Sequence, residues 1–287
     1  MSWSVIRWTW LLEAPLFVGA PPAGALNRCR PYVLSRGIWG ALTSESAQAG
    51  ANGFPDYRQR GRTLREDARY TYLYPAARVN GSWLAWLPAY MPGQGRVWRQ
   101  EDEPATAKMG VPDRRFRGWL IDTRPGTAID PDSDSAAEAT LRETECVLTH
   151  WRSGSPAAGD RVAFVGYGFL RDGSATNLDQ VTTLFLGGDT RYGLGRMKRV
   201  TFDKADAVFG ATPVLDGNAP VVVSSHLLGH GTCSQPIRGA KEALAGWDRT
   251  TTDPLMSLGA SCWAPGSRTD QDVRWRLEEE GTWTEVA

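Results

Sequence analysis

The chain has 287 residues, enough for two ordinary domains or one large one. It is 41% hydrophobic and 22% charged, a globular composition, with a formal net charge of +0. Neutrality excludes a domain that is basic over its whole surface, while leaving room for a basic groove, and no run reaches the roughly 18 apolar residues of a membrane helix.

Of the 32 Lys and Arg residues, only Lys108, Lys198, Lys204 and Lys241 are lysines. Arginine suits phosphate recognition and base stacking. A GC-rich genome also favours it, so the bias points to nucleic acid only alongside other features. Cys29, Cys146, Cys233 and Cys262 show no C-x2-C spacing and no disulfide-dense pattern, which fits a reducing cytoplasm. Near the N-terminus, Glu13 interrupts the apolar run behind Arg7 and Pro15 follows, against a secretory leader.

Residues 5–12, rich in Trp and Leu, predict a buried first strand. Residues 15–24 (PLFVGAPPAG) read as a loop. Arg28, Arg30 and Arg36 then lead into a glycine-softened turn and a helix from Gly37 to about Ala47, which carries Trp39. The N–H groups at its start predict an anion site. Residues 54–69 hold Arg58, Arg60, Arg62, Arg65 and Arg69, flanked by Tyr57 and Tyr70. That pattern fits single-stranded RNA binding or an ordinary exposed loop, and Glu66 and Asp67 dilute it.

Between 80 and 117, Trp83, Trp86 and Trp98 with Pro88, Pro92 and Gly93 predict a hairpin with a long loop. A strand is expected at 119–122. The acidic turn Asp130-Pro-Asp-Ser-Asp lacks the glycine and terminal Glu of a calcium loop. Residues 161–169 alternate as a strand, and 178–186 begin as a helix and end as the strand feeding a glycine loop. After Val200 the chain is turn-rich, with strands expected at 221–223, 259–263 and 274–277.

The densest chemistry lies at 184–200, LFLGGDTRYGLGRMKRV. A strand end leads into Gly187, Gly188, Gly193 and Gly195, with Arg191, Arg196, Lys198 and Arg199 threaded through and past them. Glycine lets backbone N–H groups approach an anion, and arginines add bidentate phosphate contacts. No G-K-[ST] is present for a Walker loop. The glycine order is wrong for a dinucleotide fingerprint, and no acidic residue follows about 20 positions on. The pattern predicts non-covalent capture of a phosphate backbone, with Thr190 and Tyr192 in the same loop. The alternative is a plain turn in which Arg191 pairs with Asp189 or another carboxylate.

His226-x3-His230-x2-Cys233, with Cys262 later, has zinc-ligand residue types. Gly229 and Gly231 oppose a helix and no C-x2-C knuckle is present, so an ordinary turn is expected there, with no metal and no cofactor. Ser224 and Ser225 beside His226 lack a G-x-S-x-G elbow.

Four stretches, in this order, resemble the RAMP superfamily of type III-like CRISPR effector subunits. Residues 32–43 (YVLSRGIWGALT) look like the segment in which a tyrosine, a Gly/Ser turn and G-A-L open the first helix. Residues 127–145 (TAIDPDSDSAAEATLRETE) are similar to an A-I-D … A-A-E … L … E hairpin, and 164–169 sit at the following strand. Residues 187–200 look like the glycine-rich loop G-G-x-x-R-x-G-x-G-R.

The likeness covers about residues 1–200. It implies an α+β fold of ferredoxin-like (RRM-like) βαββαβ modules with antiparallel sheets and an inserted hairpin and loop near 54–117. Residues 201–287 would form a β-rich extension or a degenerate second module. It further implies an RNA-guided complex in which the glycine loop holds the guide (CRISPR) RNA. Other RAMP subunits and a large signature subunit would be neighbours, target RNA would be met only indirectly, and no membrane is involved.

Three roles compete within that superfamily. The backbone subunit cuts with an aspartate in the loop after the first strand, but residues 19–32 (GAPPAGALNRCRPY) contain no Asp or Glu. The guide-processing endoribonuclease uses an early histidine, but His150, His226 and His230 are all late. The subunit capping the 5′ handle of the guide, the Cas-five-like group, needs no catalytic group and is the role expected here. An unrelated enzyme holding a small phosphate ligand at the loop is the alternative from another class. The expected RNA-contacting residues are Gly187, Gly188, Thr190, Arg191, Tyr192, Gly193, Gly195, Arg196, Lys198, Arg28, Arg30, Arg36 and Trp39.

Overall fold

The computed structural model describes residues 2–50, 53–103, 109–174, 176–247 and 256–286. The first strand, β1 (Trp3–Leu12), is buried on both faces, as its Trp- and Leu-rich sequence requires. Helix α1 (Ser35–Ala49) buries Ile38, Ala41 and Leu42 at helical spacing and stops at Gly50. A second helix, α2 (Tyr57–Asp67), occupies the arginine-rich stretch expected to be a loop or an RNA-binding patch. Asp56 caps it by accepting from the Gln59 N–H at 2.9 Å, and Arg, Gln and Leu are good helix formers. Leu64 is its apolar anchor, and Gly61 lets the Trp39 ring of α1 press against its backbone.

Strands β2 (Tyr74–Val79), β3 (Ser82–Met91) and β4 (Gly95–Gln100) follow as a meander, so the expected hairpin within 80–117 is present. Helix α3 (Asp113–Leu120) then buries Phe116, Trp119 and Leu120 on one face. The strand expected at 119–122 therefore starts only at Ile121, as β5 (Ile121–Gly126). A small exposed hairpin pairs Ile129–Asp130 with Ser135–Ala136, and β6 (Arg142–Val147) returns alongside β5. Strand β7 (Ala163–Arg171) is central, and β8 (Thr183–Phe185) and β9 (Arg196–Lys204) bracket the glycine loop.

Among the described residues these strands make a nine-stranded antiparallel sheet in the order β8-β9-β1-β7-β2-β3-β4, continued by Val111–Pro112, with Ala68–Tyr70 also on β7. The crossover from β1 to β2 contains both α1 and α2. Among the described residues, the crossover from β7 to β9 has two 3-10 turns, at Leu178–Gln180 and Thr190–Tyr192, and the short β8. A separate three-stranded sheet joins Leu26–Asn27, β6 and β5.

After β9, among the described residues, the chain builds an eight-stranded sheet from β10 (Val221–His226), β11 (Lys241–Trp247), β12 (Met256–Trp263), β13 (Arg268–Leu277), β14 (Trp283–Val286) and three short strands. One buried cluster runs through both large sheets, from Trp8 and Trp10 of β1 to Trp275 and Trp283. The strands expected at 221–223, 259–263 and 274–277 lie within β10, β12 and β13.

The seam between the large sheets also carries a polar cluster. Glu242 of β11 accepts from Arg30 at 2.5 Å and from Arg96 at 3.2 Å, and lies 3.1 Å from His230 Nε2. His230 Nδ1 in turn lies 2.7 Å from the Tyr72 hydroxyl. Burial raises the Glu242 carboxyl, but His230 and the Arg30 guanidinium outweigh it and hold the group well below the usual carboxylate range. Burial lowers the His230 imidazole from its usual range, against the pull of Glu242. His226 instead meets Ser224 and Ser225, so the fold assigns the two histidines of the zinc-like spacing to different surroundings.

Candidate nucleic-acid interface

The glycine loop is fastened to the fold along its length. Leu184 pairs with Met197, both buried, where β8 meets β9. Beyond them the Leu186 N–H donates to the Gly195 carbonyl at 2.9 Å. The Gly188 and Gly195 N–H groups donate to the carbonyls of Phe17 and Pro15 at 2.9 and 2.8 Å. Gly187 and Gly195 both have φ near +80°, and a Cβ on either would meet a backbone oxygen: Phe17 O at 2.2 Å or Leu186 O at 1.9 Å. These two glycines are required by close approach of the protein to itself.

The tip is a 3-10 turn, Thr190–Tyr192, entered through Asp189 (φ +56°) and left through Gly193. The Tyr192 and Gly193 N–H groups donate to Asp189 and Thr190 carbonyls. Four of the loop's amides are thus already engaged, which narrows the expected capture of phosphate by backbone N–H groups and shifts the weight to side chains. Those side chains point out. Arg191 is exposed, and Tyr192 is 71% exposed. On β9, Arg196 and Lys198 alternate with buried Met197 and share its exposed face, Arg196 lying 3.1 Å from Glu13. Arg199 turns away to the carbonyls of Leu178 and Asp179.

Two further arginines, from the three-stranded sheet, meet the tip of the loop at Asp189 and Tyr192. On β6, Arg142, Thr144 and Cys146 share one side, and Arg124 and Gly126 share it on β5. With Asp189, Tyr192 and Leu194 they enclose a cleft of about 170 Å³. Arg142 reaches Asp189 at 3.7 Å and lies over the Tyr192 ring, 5.0 Å from its centroid. Asp189 thus pairs with Arg142 and not with Arg191. Motif reading missed Arg124 and Arg142, because only the pairing of β5 with β6 beside the loop brings them there. The two-residue alternation of Arg142, Thr144 and Cys146 was the available signal.

The remaining residues expected to touch RNA disperse. Arg28 is exposed on a turn separated from the loop by the segment that pairs with both: Phe17 accepts from Gly188, and the Ala20 N–H donates to Arg28. Arg30 is only 7% exposed and bonds the Tyr32 hydroxyl as well as Glu242, so it braces the seam and does not present to a ligand. Arg36 is exposed at the start of α1 and donates to the Ala245 carbonyl at 3.3 Å. Trp39 donates to the Gly61 carbonyl and carries the Arg65 guanidinium 4.3 Å over its ring, which occupies it between α1 and α2.

The α1 N-terminus, expected to be an anion site, is covered. Ser35 is buried and Gly281 of the C-terminal sheet sits directly on it, in a turn whose Glu279 and Glu280 pair with Arg69 and Arg65. Of the five arginines at 58–69, Arg60 also has a protein partner, Ser46, while Arg58 and Arg62 face solvent.

No family model matches the chain, and no curated protein does. Solved structures do match. One is a chain of the cryo-EM structure of the type III-B Cmr-beta bound to cognate target RNA and AMPPnP. It is 14% identical, with 94% of this chain and 86% of that chain covered, at a TM-score of 0.54. Chains from Cmr-beta bound to cognate target RNA and from its apo state are 10% and 9% identical and cover 68% and 69% of this chain, at a TM-score of 0.41. The first likeness is one of fold: this α+β chain of mostly antiparallel sheets and few helices shares its architecture with that Cmr-beta chain.

Proposed function

We propose that the chain is a non-catalytic RNA-binding subunit of a type III-like CRISPR ribonucleoprotein effector, and that it holds the 5′ handle of the guide RNA on the face of the glycine loop. One observation carries this reading: the glycine loop and the strand after it expose Arg191, Tyr192, Arg196 and Lys198, and Tyr192 lines a cleft with Arg124 and Arg142, in a fold shared with a chain of an RNA-bound effector complex. Arginines supply phosphate contacts, and an exposed tyrosine supplies a stacking surface for an unpaired base.

The order β9-β1-β7-β2, with a helical first crossover, reads as a ferredoxin-like module whose second crossover helix has been replaced by the loop. The C-terminal sheet reads as an extension that braces this module through Arg30 and Glu242. Neighbouring effector subunits are the expected protein partners. The chain should show salt-dependent binding of single-stranded guide RNA and no cleavage of guide or target RNA. Cutting by the purified chain that a single point mutation abolishes would overturn the non-catalytic role.

A further inference from the structure

The loop contains one residue that phosphate binding does not explain. Asp189 places a carboxylate beside the guanidinium groups of Arg142 and Arg124, where it repels phosphate. It holds a backbone conformation, φ +56° and ψ 26°, that residues other than glycine adopt rarely. The conformation is fixed: the Gly188 N–H is bonded to the Phe17 carbonyl, and the Asp189 carbonyl takes the Tyr192 N–H at 2.9 Å. An unusual conformation held by its surroundings at a ligand face is where a functional reason should be sought.

The carboxylate opens into the cleft of about 170 Å³ described above. Its ion pair with Arg142 is loose, 3.7 Å, with side-chain exposures of 26% for Asp189 and 48% for Arg142. Both groups are therefore open to exchange for a ligand's donors and acceptors. Around them stand the exposed guanidinium of Arg124, the exposed Tyr192 ring, and an apolar floor of Leu194 and Cys146. A cleft with an acceptor-only group, two guanidinium donors and an aromatic face has the inventory for an unstacked nucleobase.

Base chemistry then selects among four. Guanine offers adjacent N1–H and N2–H donors, which match the two oxygens of one carboxylate, and O6 and N7 acceptors, which match an arginine fork. Adenine offers only its N6 amino group as donor. In cytosine and uracil the single donor group of the pairing edge adjoins acceptors that a carboxylate repels.

Resting on the RNA-binding reading above, we infer that this cleft is a subsite for one unstacked guanine of the bound RNA. Asp189 accepts from N1–H and N2–H, Arg142 and Arg124 donate toward O6 and N7, and Tyr192 stacks on the ring.

The test is fluorescence anisotropy of the full chain with short oligouridines carrying one central guanine, inosine, adenine or cytosine. Guanine should bind about tenfold more tightly than adenine or cytosine, the discrimination of one good bidentate contact. Inosine, which lacks the N2 amino group, should fall between. Asp189→Asn retains the fold, since Asn tolerates φ > 0. It should abolish the order of preference while raising affinity for plain oligouridine, because a negative charge has left the face. Equal affinity for all four RNAs, with salt dependence intact, overturns the guanine subsite and leaves the RNA-binding reading standing. No binding of any of these RNAs at low salt removes both.

Discussion

Gly195→Ala should destabilise the protein far more than Gly193→Ala, although both glycines sit in the same loop at φ +79°. The left-handed conformation costs an alanine about 1–2 kcal/mol at either position. At Gly193 that is the whole effect, because nothing lies within 4 Å of the new Cβ. At Gly195 the Cβ would sit 1.9 Å from the Leu186 carbonyl oxygen, so the backbone must move. The movement endangers the bonds from the Gly195 N–H to Pro15 and from the Leu186 N–H to Gly195, each worth about 1 kcal/mol net. The expected losses are therefore about 3–4 kcal/mol for Gly195→Ala and about 1–2 kcal/mol for Gly193→Ala. Urea unfolding of the two variants beside the parent chain measures the difference. Equal losses would refute the reasoning that the loop's glycines serve the loop's own seating.

Arg191→Ala combined with Arg196→Ala should weaken guide-RNA binding and flatten its logarithmic salt dependence by about 0.7 for each phosphate that is no longer neutralised, read by anisotropy titrations from low to high salt. Glu242→Ala should cost about 3 kcal/mol by urea unfolding, since it leaves Arg30 buried without its carboxylate. The same cluster sets a pH dependence, because Glu242 and His230 both have folded pKa values below their unfolded ones. From about pH 8 down to about 6.5 stability should be level, and it should fall below that as His230 resists protonation. It should fall further once pH drops below about 4.3 and towards the folded pKa of Glu242. A urea midpoint that rises between pH 7 and pH 5 would contradict this. Trp39→Ala should lower the melting temperature by opening the α1–α2 packing, yet leave the salt slope of RNA binding unchanged.

The parts of the fold that could be read from sequence were those fixed by local periodicity or by glycine. The Trp-rich β1, the apolar face of α1, the hairpin of β3 and β4, and the strand–loop–strand around Gly187 and Gly195 all announce themselves within a short window. Helix α2 did not, because its five neighbouring arginines drew attention to charge while Asp56 at its cap and Leu64 at its core face were the structural signal. The site was half legible. Arg191, Tyr192, Arg196 and Lys198 lie in one motif, and all four are exposed. Arg30 and Trp39 have the same residue chemistry but are claimed by Glu242 and Gly61, partners 212 and 22 residues away. Arg124 and Arg142 enter for the converse reason: their contribution comes from strand pairing far from the glycines.

The central claim, that the glycine-loop face holds the 5′ handle of a guide RNA, is tested most directly by purifying the chain within its natural complex, crosslinking it to bound RNA with ultraviolet light and mapping both sides of each adduct. Adducts are expected at Tyr192 and its neighbours on residues 187–198, carrying nucleotides from the 5′ portion of the guide. A complex that contains guide RNA but places its adducts on another face of this chain, or none on it at all, would contradict that role.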